Sequence, residues 1–71
     1  MDHPQKNEIA PEVVGPKGAM RMGGWGRTRL YQLIADGELE SYLDGRVRRI
    51  TVRSIRSRIE RKLQEAKAKV A

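Results

Sequence analysis

Cysteine is absent from this 71-residue chain, and aromatic residues are limited to one Trp and two Tyr. Without Cys there is no disulfide framework and no Cys-based zinc site. The one His is His3, beside the N-terminus, so a Ser-His-Asp triad or a metal site lacks its parts. No GxxxxGK[ST] loop occurs, and the glycines around Trp25 do not match that spacing. No apolar run approaches the ~18 residues of a membrane span, and nothing resembles a signal peptide. These absences predict a protein that is not an enzyme, with no cofactor, metal, small-molecule substrate or membrane partner. The cytoplasm is its simplest location. The core has to be apolar and only marginally stabilising, since domains below ~70–80 residues rarely gain more than ~3–5 kcal/mol from it.

What is present is positive charge. Fifteen Lys and Arg stand against nine Asp and Glu, a net charge of +6, and the pI is about 10.3. Such an excess in a short chain points to a polyanion, nucleic acid first. Its distribution is uneven. Residues 1–16 carry a balance of −2, residues 17–50 one of +3, and residues 51–71 one of +5. Residues 1–12 read as a flexible tail, because MDHPQKNE has no apolar periodicity. Ile9, Val13 and Val14 differ, being β-branched residues expected to pack on the core, so order is expected to begin near residues 9–13.

The body reads as helix, turn, helix, hairpin, helix. Pro16 suits a first helical turn, and Lys17 to Met22 forms a weak helix whose Ala19, Met20 and Met22 supply apolar surface. Gly18 inside it costs ~1 kcal/mol relative to Ala. Gly23, Gly24 and Gly26 make a turn with Trp25 as its hydrophobic anchor. A second helix runs from Arg27 to Asp36 and stops at Gly37. Leu30, Leu33 and Ile34 share its inner face, with Thr28, Gln32 and Ala35 opposite and Arg29 and Tyr31 at the edges. Asp44-Gly45 between Leu39–Leu43 and Arg46–Ile50 predicts a hairpin with those two residues at its turn. Thr51 can cap a third helix. Along it, Val52, Ile55, Ile59, Leu63, Ala66 and Val70 recur at helical spacing. Arg56/Glu60, Arg61/Glu65 and Glu65/Lys69 stand at i,i+4. The last two turns are expected to extend past the globule.

The segment GRTRLYQLIADGELESYLDGRVRRITVRSI carries a resemblance. It includes Gly24, Trp25, Gly26, Arg27, Thr28, Arg29, Leu30, Tyr31, Gln32, Leu33 and Ile34, then Gly37-Glu38-Leu39, then Gly45-Arg46 with Arg48 and Arg49. It closely resembles the excisionase family of small winged-helix DNA-binding proteins, related to the DNA-binding domains of MerR-type regulators. About residues 13–63 are covered. Gly26 stands where the family often has a Ser cap. Gly18, Gly23 and Gly24 depart from its Glu/Ala/Leu-rich first helix.

The resemblance implies one mostly α domain with a small β-hairpin wing, a winged helix-turn-helix over residues 13–63. Residues 64–71 then form the end of the third helix. Arg27, Thr28 and Arg29, at the start of the second helix, are implied to reach DNA, since that end of a helix-turn-helix approaches base edges. An Arg there can read guanine in bidentate fashion or bind phosphate. Gln32 could read adenine or bind phosphate, and Tyr31 either packs or donates its hydroxyl to a phosphate. Arg46, Arg48 and Arg49 of the wing suit a minor groove, whose negative potential attracts Arg. Lys17 and Arg53 are further backbone candidates. Leu63, Ala66 and Val70 are either a frayed end or a partner surface. The implied partners are double-stranded DNA, further copies of the chain on that DNA, and an integrase of the tyrosine recombinase class.

The function implied is that of a recombination directionality factor in a prokaryotic cell. It would bind and bend attachment-site DNA and promote excision of a phage or integrative element. Two alternatives stand beside it. One is a small winged-helix transcriptional regulator, expected to lack the long coiled coil and effector region that MerR-type regulators add. The other is a protein-interaction subunit working through its third helix.

Overall fold

The computed structural model describes residues 12–70. The flexible tail read at residues 1–12 therefore lies outside the described residues except for Glu12. Ile9, the side chain of Val70, and Ala71 lie outside them as well. The elements run β1 (Val13–Val14), α1 (Pro16–Gly23), α2 (Arg27–Ala35), β2 (Ser41–Asp44), β3 (Val47–Thr51) and α3 (Val52–Val70). They make a mostly helical fold of three helices and one antiparallel sheet, ordered β1-β3-β2.

The strand β1 is an addition to the sequence reading. Val13 pairs with Thr51 and Val14 with Ile50. The Val52 N–H also donates to the Glu12 carbonyl at 2.9 Å, so order reaches one residue into the stretch read as tail. Val14 packs on the core and explains Gly18. A Cβ at Gly18 would lie 3.0 Å from the Val14 Cβ, so the glycine that weakens α1 also lets β1 approach it.

Pro16 opens α1 as its composition predicts, and Ala19 is fully buried. Met20 is partly buried against the core, whereas Met22 is exposed, contrary to the expectation that both add apolar surface. Gly24 closes the helix at φ +74°, with its N–H on the Met20 carbonyl. That left-handed geometry costs a non-glycine residue ~1–2 kcal/mol. Trp25 then folds back over Gly23, where a Cβ would meet the indole ring at 2.4 Å. α2 buries Leu30 and Leu33, with Ile34 partly buried beside them. Its outer positions are exposed, as the wheel predicts.

The hairpin is one residue out of phase with the sequence reading. Asp44 belongs to β2 and pairs with Val47, so Gly45-Arg46 rather than Asp44-Gly45 occupies the turn. Gly45 has φ +67°, as the first central position of a primed turn requires. Ile50 faces the core, and its pairing with Ser41 sets the register of the ribbon.

Thr51 caps α3 as predicted, its Oγ1 accepting the Ser54 N–H at 3.3 Å. Ala19, Leu30, Leu33, Leu39, Ile50 and Ile55 form the buried cluster, with Trp25 and Ile59 packed against it. From Glu60 to Lys69 every residue of α3 is exposed, which agrees with a helix end that outruns the globule. Glu65 meets Arg61 at 3.9 Å and Lys62 at 3.2 Å, in place of the expected Lys69. Glu60 accepts a hydrogen bond from Gln64 instead of pairing with Arg56.

Candidate nucleic-acid interface

The first turn of α2 is electrostatically unusual. A helix N-terminus carries about half a positive charge, and its first N–H groups lack partners within the helix. Natural first turns favour Asp and Glu and a polar cap. Here the cap is Gly26 with no side-chain hydrogen bond, and the first turn holds no acidic residue. It holds Arg27 and Arg29 instead. Both are exposed, as are Thr28, Tyr31 and Gln32, so all five predicted residues lie on the solvent side of one helix. Among the described residues, the partners of the two arginines are neutral. Arg27 lies 6.0 Å from the Tyr31 ring centroid, and Arg29 donates to Gln32 Oε1 at 3.3 Å. Each guanidinium is thus held in place with its charge uncompensated.

The hairpin arginines do not form one group. Side chains alternate across a strand, so Arg48 and Arg49 take opposite faces of the ribbon. Arg48 shares a face with Ile50 and its cross-strand neighbour Leu43, and its Nη1 donates to Ser41 Oγ at 3.0 Å. Arg49 shares the other face with Tyr42 and lies 3.8 Å from Asp44. Arg46 is exposed in the turn between them. Lys17 is exposed near the start of α1. Arg53 differs from the rest. Its Nε and Nη2 grip both Glu40 carboxylate oxygens at 2.9 and 3.1 Å, which makes it first a brace between α3 and the loop before β2.

Glu40 belongs to a second set of groups that sequence reading missed. It also accepts the Thr51 hydroxyl at 2.9 Å. These hydrogen bonds, that of Arg53 first and that of Thr51 next, hold its carboxyl below the ordinary Glu range. The same contact raises the pKa of Arg53. Glu38 is likewise lowered, chiefly by a hydrogen bond from Arg61. Arg58 lies 3.3 Å from Glu38 but does not aim its Nε–H at it, so that contact acts as charge against charge. The Arg58 guanidinium also lies 5.8 Å from the Trp25 ring. The carboxylate–arginine pairs span 13 to 23 residues, so although Glu38, Arg53 and Arg61 each figured in the sequence reading, their pairing did not.

Of the predicted partner surface on α3, Leu63 is 52% exposed and Ala66 is exposed. No helix among the described residues is long and apolar enough to cross a membrane. In comparisons with known proteins, no family model, no curated protein and no solved structure matches the chain.

Proposed function

We propose that this chain is a winged helix-turn-helix DNA-binding protein that acts as an excisionase. In this reading α1 and α2 are the helix-turn-helix, α2 enters the major groove, and the β2–β3 hairpin is the wing. The observation that carries DNA binding is the start of α2. Two arginines with neutral partners stand on the positive end of a helix dipole, with no carboxylate in that turn. Mutual repulsion there is relieved by a bound phosphate backbone. Arg46, Arg48 and Arg49, in the turn and on the two faces of the hairpin, are the proposed contacts of the wing.

The directionality role rests on the resemblance of RTRLYQLI and GEL at their spacing. Phosphate contacts supply affinity, α2 supplies sequence preference, and association with neighbouring copies and an integrase supplies assembly. Bending 20–30 base pairs costs ~1–6 kcal/mol, so several copies acting together are expected.

A fluorescence-anisotropy titration across a salt series tests this reading. With about five phosphates neutralised, log K falls against log salt with a slope of about −4.5. Arg27→Ala and Arg29→Ala are each expected to weaken site preference by ~1–3 kcal/mol where they read a base. A slope near zero overturns DNA binding. Footprinting on attachment-site DNA tests the role, for which several phased protections are expected. One palindromic protection marks a transcriptional regulator instead.

A further inference from the structure

The β2–β3 ribbon leaves an apolar side chain in an exposed, cationic setting. Leu43 is 60% exposed, the most of any large hydrophobic residue among the described residues. It stands directly opposite Arg48 and one residue before Asp44, which leads into the Gly45-Arg46 turn. It lies on the helix-facing side of the sheet, since Leu43 and Arg48 share a face with Ser41 and core residue Ile50. The next pair outward from Ser41 and Ile50 on that face is Leu43 and Arg48, ~7 Å further along the strands. Leu43 thus emerges beyond the core on the side of the sheet that carries the helices. The strand β1 reaches only as far as Ile50 and Thr51 on β3, so the outer part of the hairpin is a free two-stranded ribbon.

Apolar exposure alone would suit many partners, but the charge around Leu43 narrows the choice. Its cross-strand neighbour is Arg48 and Arg46 follows in the turn, while on the reverse face Asp44 stands 3.8 Å from Arg49, so the carboxylate next to Leu43 is turned toward another arginine. An apolar protein surface would have to desolvate these guanidinium groups. A DNA groove offers phosphates to the arginines and base-pair edges to the leucine. We infer that Leu43 is a wedge that enters the DNA minor groove and partly unstacks one base step, bending the duplex. The inference rests on the DNA-binding reading and adds to it the residue that performs the bend. Insertion of apolar side chains between base steps is a known means of kinking DNA toward the major groove, and pyrimidine–purine steps such as TA are easily kinked. Arg48, held beside Leu43 by its hydrogen bond to Ser41, is the positioning residue that sets the ribbon against the backbone.

The test uses the full chain and a duplex of about 30 base pairs with a central TA step. The duplex carries fluorophores at its ends and 2-aminopurine beside the step. Wild-type protein is expected to bend it by roughly 20–90° and to raise the 2-aminopurine signal as the step unstacks. Leu43→Ala is expected to lose both effects while keeping the salt slope of binding. Leu43→Met, which keeps an apolar tip, is expected to retain both. Binding of Leu43→Ala with unchanged bend and unstacking overturns the wedge. So does wild-type binding without unstacking, which leaves DNA binding standing. Absence of salt-dependent binding by the wild type overturns both.

Discussion

Trp25 sets the identity of two neighbours. Its ring lies where a side chain at Gly23 would be, and its exposed flank is covered by Arg58. Arg58 in turn brings a buried charge toward Glu38, its side chain only 10% exposed. A single aromatic therefore connects the α1–α2 turn to α3 and to the loop before β2. The two carboxylates of that loop give a pH signature whose sign follows from their environment. Glu38 and Glu40 titrate below their ordinary value of 4.5 because arginines donate to the ionised forms. A carboxylate with a lowered folded pKa contributes stability above its unfolded pKa, and loses it as pH falls through the folded one. The melting midpoint is therefore expected to hold from neutral pH down to about 5 and then fall below the ordinary carboxylate range. Glu38→Gln combined with Glu40→Gln should lower the midpoint at neutral pH and flatten the acid fall. Thermal melts followed by circular dichroism between neutral pH and pH 3 check this. An acid limb unchanged by the double substitution would mean the two pairs contribute nothing to stability.

At the scale of the element, α3 is two helices in energetic terms. Val52 and Ile55 are buried and Ile59 is partly so, while every residue from Glu60 to Lys69 is exposed. Ile55→Ala is expected to cost ~2–5 kcal/mol, as truncation in a core does. Leu63→Ala, in the same apolar stripe, should stay within about 0.5 kcal/mol. Urea unfolding of both variants measures the contrast, and equal losses would mean the outer stripe is packed in solution. The example also marks the limit of sequence reading. Period and phase of the stripe are legible in Val52, Ile55, Ile59 and Leu63, but where its covering ends depends on neighbours distant in sequence. The same limit applies to β1, because two valines cannot display a strand's alternation. It applies to the hairpin as well. Asp44-Gly45 announced a turn, yet its phase rests on the pairing of Ser41 with Ile50, which the imperfect alternation of the flanking residues does not display, whereas the face of each arginine follows from strand alternation alone. Candidate site residues on α2 were legible because helical geometry puts Thr28 and Gln32 opposite Leu30 and Leu33 and Tyr31 at the edge, while Arg27 is exposed by its place in the first turn. The bracing of Arg53 by Glu40 was not, since the two lie thirteen positions apart in the chain.

The net charge of +6 becomes more informative once the ion pairs are placed on the whole molecule. Glu38, Glu40, Asp44 and Glu65 are spent on Arg58, Arg61, Arg53, Arg49 and Lys62. These pairs brace α3 and the hairpin. Among the described residues, Arg27 and Arg29 at the start of α2 have no such carboxylate partner, a condition they share with Lys17, Arg21, Arg46, Arg48, Arg56, Lys67 and Lys69. The apolar core is small, with seven buried hydrophobic residues among those described, and its stability margin is correspondingly thin. Both facts bear on one measurement. A ligand that binds only the folded chain stabilises it by RT ln(1 + [L]/Kd), about 2.7 kcal/mol at a hundredfold excess over Kd. In a domain this small each kcal/mol moves the melting midpoint by about 4–8 °C. Duplex DNA at low salt is therefore expected to raise the midpoint by about 10–20 °C. The same DNA at high salt should raise it little, because the bound counterions are no longer released at a gain. Arg27→Ala with Arg29→Ala should reduce the low-salt shift without lowering the midpoint of the free protein, since both residues are exposed. A midpoint unmoved by DNA at low salt would mean that the uncompensated charge on α2 serves some other anion.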